Sequence, residues 1–282
     1  MALAVVGVLV PAIFQFPGTG PQGSTGGLKA GVSAEGLVVF AVFAVLSGLI
    51  KGVSGFGEAL VMTPVAASIM DPTSAVVALT IPPLMTNVFQ VGDTGTGLSY
   101  IKKRWPLILF ALIGSSVGVY FLSSFASSPL IPLLIGLLIL GYVIFQVARG
   151  FATFEKAANP RALGVVGFAE GFLLGAANFG PLLPAYLHSF ERNAERYVGG
   201  LSMVLALIFT ERVVQMLVNG LMTPYLLWLG AATALVTLVG LGLGTALRRV
   251  GVKGRLFDWL VVGLLFAVSL NIFYHAVPKL FS

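Results

Sequence analysis

Apolar residues in this chain come in long runs rather than in stripes. Residues 105–124 and 197–218 are hydrophobic on every side of a helix, with neither the 3.6-residue face of a soluble helix nor the alternation of a barrel strand. Such runs satisfy their own backbone in lipid only as helices. The pattern predicts apolar segments at 36–50 and 57–70, then 73–91, 105–124 and 129–147. It then restarts, with 162–174 and 181–190 followed by 197–218, 224–247 and 256–277. Ahead of them lie a short apolar stretch over 1–16, interrupted by Pro11, and a Gly/Pro/Ser-rich linker over 17–31. The stretch has no charged leading region and no clear small-residue cleavage site, so a cleaved signal is only weakly indicated.

The restart reads as an internal repeat. Gly52-Val-Ser-Gly-Phe-Gly57 aligns with Gly175-Ala-Ala-Asn-Phe-Gly180, and Pro64 with Pro184 across a three-residue gap. Asp71-Pro-Thr-Ser-Ala aligns with Glu191-Arg-Asn-Ala-Glu, and Pro106 with Pro224. The division that follows is an N-terminal segment and linker over 1–34, a first transmembrane repeat over 35–149, a connector over 150–161 and a second repeat over 162–282.

Each repeat opens with a pair of short segments around a glycine-rich break. As helices, 36–50 and 57–70 would measure roughly 21–23 Å, short of a hydrocarbon core of about 30 Å. Either the pair is one long broken span or it is a hairpin that enters and leaves on one side. Charge separates the two. With hairpins, twelve of the sixteen Lys and Arg fall on one side of the membrane: Lys102, Lys103, Arg104, Arg149, Lys156, Arg161, Arg192, Arg196, Arg248, Arg249, Lys253 and Arg255. Only Lys29 and Lys279 fall on the other side, and Lys51 and Arg212 stay within the membrane. With single spans the loops divide almost evenly. The positive-inside rule selects the hairpins and places the basic loops in the cytoplasm, although two tightly packed full crossings would share that parity. The expected fold is an all-α polytopic membrane protein of two inverted repeats, each a broken helical hairpin plus three transmembrane helices.

Composition narrows the function. Of 282 residues 57% are hydrophobic and 9% charged, against about 25% charged in soluble domains. With no cysteine and two histidines, His188 and His275, there is no thiolate or histidine-rich metal site and no cofactor is expected. The +6 net charge sits in loops, which is membrane topology rather than nucleic-acid binding. The Gly-Leu-Gly-Leu-Gly run at 240–244 lies inside an apolar helix with no preceding strand, so it reads as helix packing, not a dinucleotide fingerprint. No nucleophile–base spacing appears, and an enzyme is a poor reading.

The breaks carry the chemistry. A helix that starts at Gly57 leaves its first backbone N–H groups unpaired, carrying partial positive charge and pointing into the membrane. Such an end binds anions, and Lys51 adds a full charge. The candidate substrate-binding set is Lys51, Gly52, Ser54, Gly55, Phe56 and Gly57 from the first break, Asn178, Phe179 and Gly180 from the second, and Arg212 from the interior of 197–218. Glu58, Glu170 and Glu211 are the proton-coupling candidates. Against these stand plainer roles: Lys51 snorkelling to the interface, and the acids and Arg212 acting as ion pairs that hold helices together. Thr86, Asn87, Gln90 and Thr210 read as interhelical hydrogen-bonders.

The stretch G-L-I-K-G-V-S-G-F-G-E-A-L-V-M-T-P-V, with its weaker echo in the second half, resembles the TauE/SafE family of permeases related to sulfite exporters. The resemblance covers roughly residues 35–277 and implies transport of small sulfur-containing oxyanions such as sulfite or organosulfonates. In the second motif Asn178 stands where the family has glycine, and Pro181 directly follows Gly180. The resulting expectation is a secondary transporter in the cytoplasmic membrane, working by alternating access with its site between the hairpins. An uncoupled anion channel and a non-transport scaffold are its rivals. Its expected partners are a small anionic substrate and the lipid bilayer, with homo-oligomerisation left open.

Overall fold

The computed structural model describes residues 34–125, 160–188, 191 and 193–250, with single positions at 14, 133, 137, 140, 141 and 144. The apolar stretch over 1–16, the linker, most of the connector and the expected spans at 129–147 and 256–277 lie outside the described residues.

The described chain is helical: α1 Ala34–Ser54, α2 Glu58–Ile69, α3 Pro72–Ala78, α4 Ile81–Thr94, α5 Ser99–Lys103, α6 Trp105–Ser124, α7 Pro160–Ala177, α8 Leu182–His188, α9 Ala194–Val218 and α10 Pro224–Arg249. Among the described residues, five stretches are long and apolar enough to cross a membrane: 35–54, 72–94, 105–124, 194–218 and 224–249. The protein is an all-α polytopic membrane protein.

Two boundaries differ from the sequence pattern. The first apolar segment does not stop at Ile50. α1 carries Lys51 and Gly52 on to Ser54, so its 21 residues are long enough to span. The apolar run over 73–91 is interrupted at Leu79 and Thr80. Its cause is Pro82-Pro83 in the first turn of α4. Proline has no N–H, so the carbonyls four residues earlier, on Ala78 and Leu79, lose their helical donors.

Close backbone contacts set the packing. α1 lies along α10, where Gly48 and Gly52 meet the backbone of residues 237–245, and Gly240 and Gly244 meet that of residues 45–52. α7 lies along α6 in the same manner, through Gly167, Gly171 and Gly175 on one helix and Gly114 and Gly118 on the other. A Cβ on Gly52 would stand 2.6 Å from the Thr245 amide, and one on Gly118 would stand 2.9 Å from the Gly175 Cα. Small-residue seams of this kind let helices approach in lipid, where no hydrophobic drive pushes them together.

These contacts fix relative direction. Rising numbers on α1 meet rising numbers on α10, and likewise for α6 and α7, so each pair is parallel. Gly230 sits against Ala78 and Ile81, while Arg248 and Arg249 reach Asp93 at 3.5 and 2.6 Å. α4 and α10 are therefore parallel. Thr80 bonds Met216 and Ser202 bonds Gln90, which makes α4 and α9 antiparallel. Gly200 against Tyr100 and Ser115 bonded to Glu211 set α9 and α6 parallel. So α1, α4 and α10 run one way, and α6, α7 and α9 the other. A single broken span over α1–α2 would have turned α4 against α1; instead α2 returns, and its 12 residues cover only about 18 Å.

Among the described residues, every Lys and Arg other than Lys51 and Arg212 belongs to the face where α4 and α10 end and α6, α7 and α9 begin. The outward sides of the long helices are apolar, as at Val39, Val42 and Leu46 of α1, Leu109 and Ile113 of α6, and Leu235 and Val239 of α10. These face lipid rather than water.

The glycine seams make a direct test. Gly118→Val should lower the stability of the detergent-purified protein by about 1–3 kcal/mol or more, because backbone cannot move aside as a side chain can. Gly242→Val, where nothing lies within 4 Å of the added carbon, should melt within a degree or two of wild type. Thermal unfolding of the two variants, read side by side, checks it.

Candidate functional site

The first break is a turn with two left-handed glycines, Gly55 at φ 84° and Gly57 at φ 98°. Side chains disfavour that region, and glycine does not. Ser54 closes the turn, its hydroxyl reaching the Ile50 and Phe56 carbonyls at 2.8 Å each. α2 then begins at Glu58 with no side-chain cap on its N-terminus. Its first N–H groups have no helical acceptor. They belong to Glu58, Ala59 and Leu60, and all three residues line one pocket.

Lys51 forms one wall of this pocket, and its Nζ is 3.3 Å from Glu58 Oε2. Each residue is only 2% exposed, so this is a fully desolvated ion pair. Glu58 Oε2 also accepts from the Thr86 hydroxyl at 2.6 Å, while Glu58 Oε1 has no partner. Behind Lys51 the chain is fastened by Gln90, whose amide donates to the Lys51 carbonyl at 3.2 Å and whose oxygen accepts from Ser202. α4 thus supports the site from one side with Thr86 and Gln90.

The second break contributes the opposite wall. Gly180 and Leu174 line the same pocket as Lys51, Phe56, Gly57 and Glu58, and Pro83, Leu205 and Phe209 complete it. Pro83 lies near the middle of 72–94, and Leu205 and Phe209 near the middle of 194–218, so the pocket sits near mid-membrane.

The second break is built differently from the first. Asn178 holds φ 54°, a left-handed angle that asparagine tolerates. Its amide nitrogen donates to Thr63 Oγ1 at 3.0 Å and to the Leu79 carbonyl at 2.9 Å, the acceptor that Pro83 released. Its oxygen accepts from Arg212 Nη1 at 2.7 Å. At the start of α8, Glu170 Oε2 accepts from the Leu182 amide at 2.9 Å. The protein's own carboxylate therefore stands on the N–H groups of the second break.

The candidate residues consequently divide. Lys51, Phe56, Gly57, Glu58 and Gly180 meet around one pocket. Gly52 is spent on the seam with α10, Ser54 on the turn, and Gly55 on packing against Tyr197 and Val198. Phe179 is buried in the apolar core. Glu170 touches the pocket only through Gly180, beside its Oε1. Arg212 is 0% exposed and sits one turn beyond Phe209, its guanidinium carbon 5.1 Å from that ring. Glu211 turns away, across to α6, accepting from Ser115 at 2.6 Å, from Ser116 at 2.8 Å and from Gln215. The apolar lining residues Pro83, Leu174, Leu205 and Phe209 carry no sequence signal, apart from the double proline. Among the described residues no group of His, Cys, Asp and Glu is arranged to hold a metal.

The family described as Sulfite exporter TauE/SafE matches residues 40–272. No curated protein matches the chain, and neither does any solved structure.

Removing one member of a buried ion pair leaves the other charge without compensation, at about 3–5 kcal/mol. Lys51→Met should therefore destabilise the purified protein strongly. Lys51→Met combined with Glu58→Met should recover most of that loss. A double-mutant cycle of thermal unfolding checks it; additive losses would mean that the two side chains do not compensate each other.

Proposed function

The chain belongs to the sulfite exporter TauE/SafE family, and on that premise we propose that it carries a small sulfur oxyanion, sulfite or an organosulfonate, as a secondary transporter of the cytoplasmic membrane. Family membership makes it a multi-pass membrane transporter of the sulfite-exporter type. The observation that carries the finer reading is Lys51, held by Glu58 in a pocket that also receives the uncapped start of α2 and the tip of the second break.

The anion takes the place of the Glu58 carboxylate beside Lys51, with the N–H groups of Glu58, Ala59 and Leu60 supplying further donors. Two negative charges beside one buried cation are unfavourable, so loading is linked to a proton on Glu58. The unloaded site is then a Lys⁺–Glu⁻ pair, and the loaded site is Lys⁺, anion and neutral Glu58. With a monoanion, hydrogensulfite or a sulfonate, neither form places unbalanced charge at mid-membrane, where it is expensive. Thr86 holds the Glu58 side chain in reach in both forms. The proton travels with the anion, and the two gradients together set the rate.

The two sets of helices are read as inverted repeats that alternate access to this pocket. Opposite running directions of α1, α4 and α10 against α7, α9 and α6 support that reading. So does the way each hairpin's outer leg lies along a helix of the other half.

Flux tests the mechanism. In proteoliposomes, efflux of radiolabelled sulfite, and of an organosulfonate that stays ionised, should quicken when the lumen is made more acid. Glu58→Gln should bind substrate at all pH values and lose the response to a pH gradient. A wild-type flux indifferent to the gradient, or a Glu58→Gln carrier that still follows it, would remove Glu58 from the coupling.

Orientation is tested separately. The basic face should be cytoplasmic, and the chain has no native cysteine to interfere. A single cysteine at Asn219 should react with an impermeant maleimide added to intact cells, whereas one at Lys102 should react only after the membrane is opened. The reverse pattern overturns the assignment.

A further inference from the structure

The pocket leaves one buried cation unaccounted for. Arg212 Nη1 donates to Asn178, but Nε and Nη2 have no partner. These two nitrogens share the side-on edge of the guanidinium, the fork that clasps two oxygens of one oxyanion. The neighbouring acids are engaged elsewhere: Glu211 with Ser115, Ser116 and Gln215, Glu170 with the start of α8, and Glu58 with Lys51 and Thr86. A fully buried guanidinium with two unpartnered nitrogens and no carboxylate in contact is costly, unless something anionic reaches it.

This fork is not part of the Lys51 pocket. Phe209 lines that pocket, and the Arg212 guanidinium, which does not, stacks on its ring. The levels differ as well. Glu58 is held at Thr86 of α4, while Asn178, which holds Arg212, is bonded to Leu79. Leu79 lies in the gap before α4, toward the side where α9 ends. Arg212 lies on the side toward the end of α9, away from the basic face.

We propose that the open fork of Arg212 is a second oxyanion seat, separate from the one at Lys51, with Phe209 as the partition between them. It rests on the reading of the chain as an oxyanion carrier and divides the path into two stations, one beside each break. The seat takes an anion that presents two oxygens on one edge, as sulfite and sulfonates do, and it favours them over halides, whose single atom meets both arms only through bent hydrogen bonds.

Equilibrium binding counts the seats. Radiolabelled sulfite, titrated to saturation into the purified full chain, should fill two sites per wild-type protein. Arg212→Lys, which keeps the charge and loses the fork, should bind one, with the affinity of the remaining site unchanged. Chloride should compete at the remaining site more effectively than at the one lost. One sulfite per wild-type chain, or two in Arg212→Lys, would overturn the second seat while leaving the carrier reading in place. No sulfite bound by wild type would remove both. The wild-type count decides the matter even if the variant fails to fold.

Discussion

Inside a membrane no water is at hand to receive a freed amide or carbonyl, so each interruption of a helix must be answered by a side chain or a ligand. The described structure follows from how its interruptions are answered. Pro83 frees the Leu79 carbonyl, and Asn178 takes it. The start of α8 is met by Glu170. Gln90 secures the carbonyl of Lys51, and Ser54 closes the turn that follows. The start of α2 is the exception, since no side chain caps it and its residues face the pocket.

Related breaks in the two halves have therefore been put to different uses. The first pairs bare N–H groups with a lysine whose counter-ion, Glu58, comes from the same turn. The second carries its own carboxylate and employs Asn178 as a clamp joining α2, the α3–α4 gap and α9. Asn178 can serve because asparagine tolerates the left-handed angle while offering a donor and an acceptor that glycine lacks. The departure from the family's glycine at this position thus has a structural use.

Among the described residues, the membrane-crossing helices, the two breaks and the return of α2 were legible in the sequence. Apolar run length marked 105–124 to the residue, and the lopsided distribution of Lys and Arg selected the topology that the contacts of α4 with α9 and α10 display. Other features were hidden. α1 runs through Lys51 and Gly52 because Gly52 is packed against α10, and a helical glycine pressed on a neighbour looks the same in sequence as one in a turn. The gap after Ala78 was signalled by Pro82-Pro83 but masked by uninterrupted hydrophobicity. That Lys51 meets Glu58 could be anticipated from the six positions between them, which form a turn. That Glu170 caps α8 and Glu211 reaches α6 could not, since those partners are set by tertiary packing.

The glycine seams also determine what can move as a unit. α1 is fastened backbone to backbone along α10, and α7 along α6, so each hairpin's outer leg is bolted to a helix from the opposite half of the chain. The mechanical pieces are thus interleaved with respect to the order of synthesis. α1 emerges first and has its permanent neighbour only when α10 follows, nearly two hundred residues later. A chain interrupted between the halves would hold one complete seam in neither fragment, and the pocket between the breaks exists only once both seams have closed.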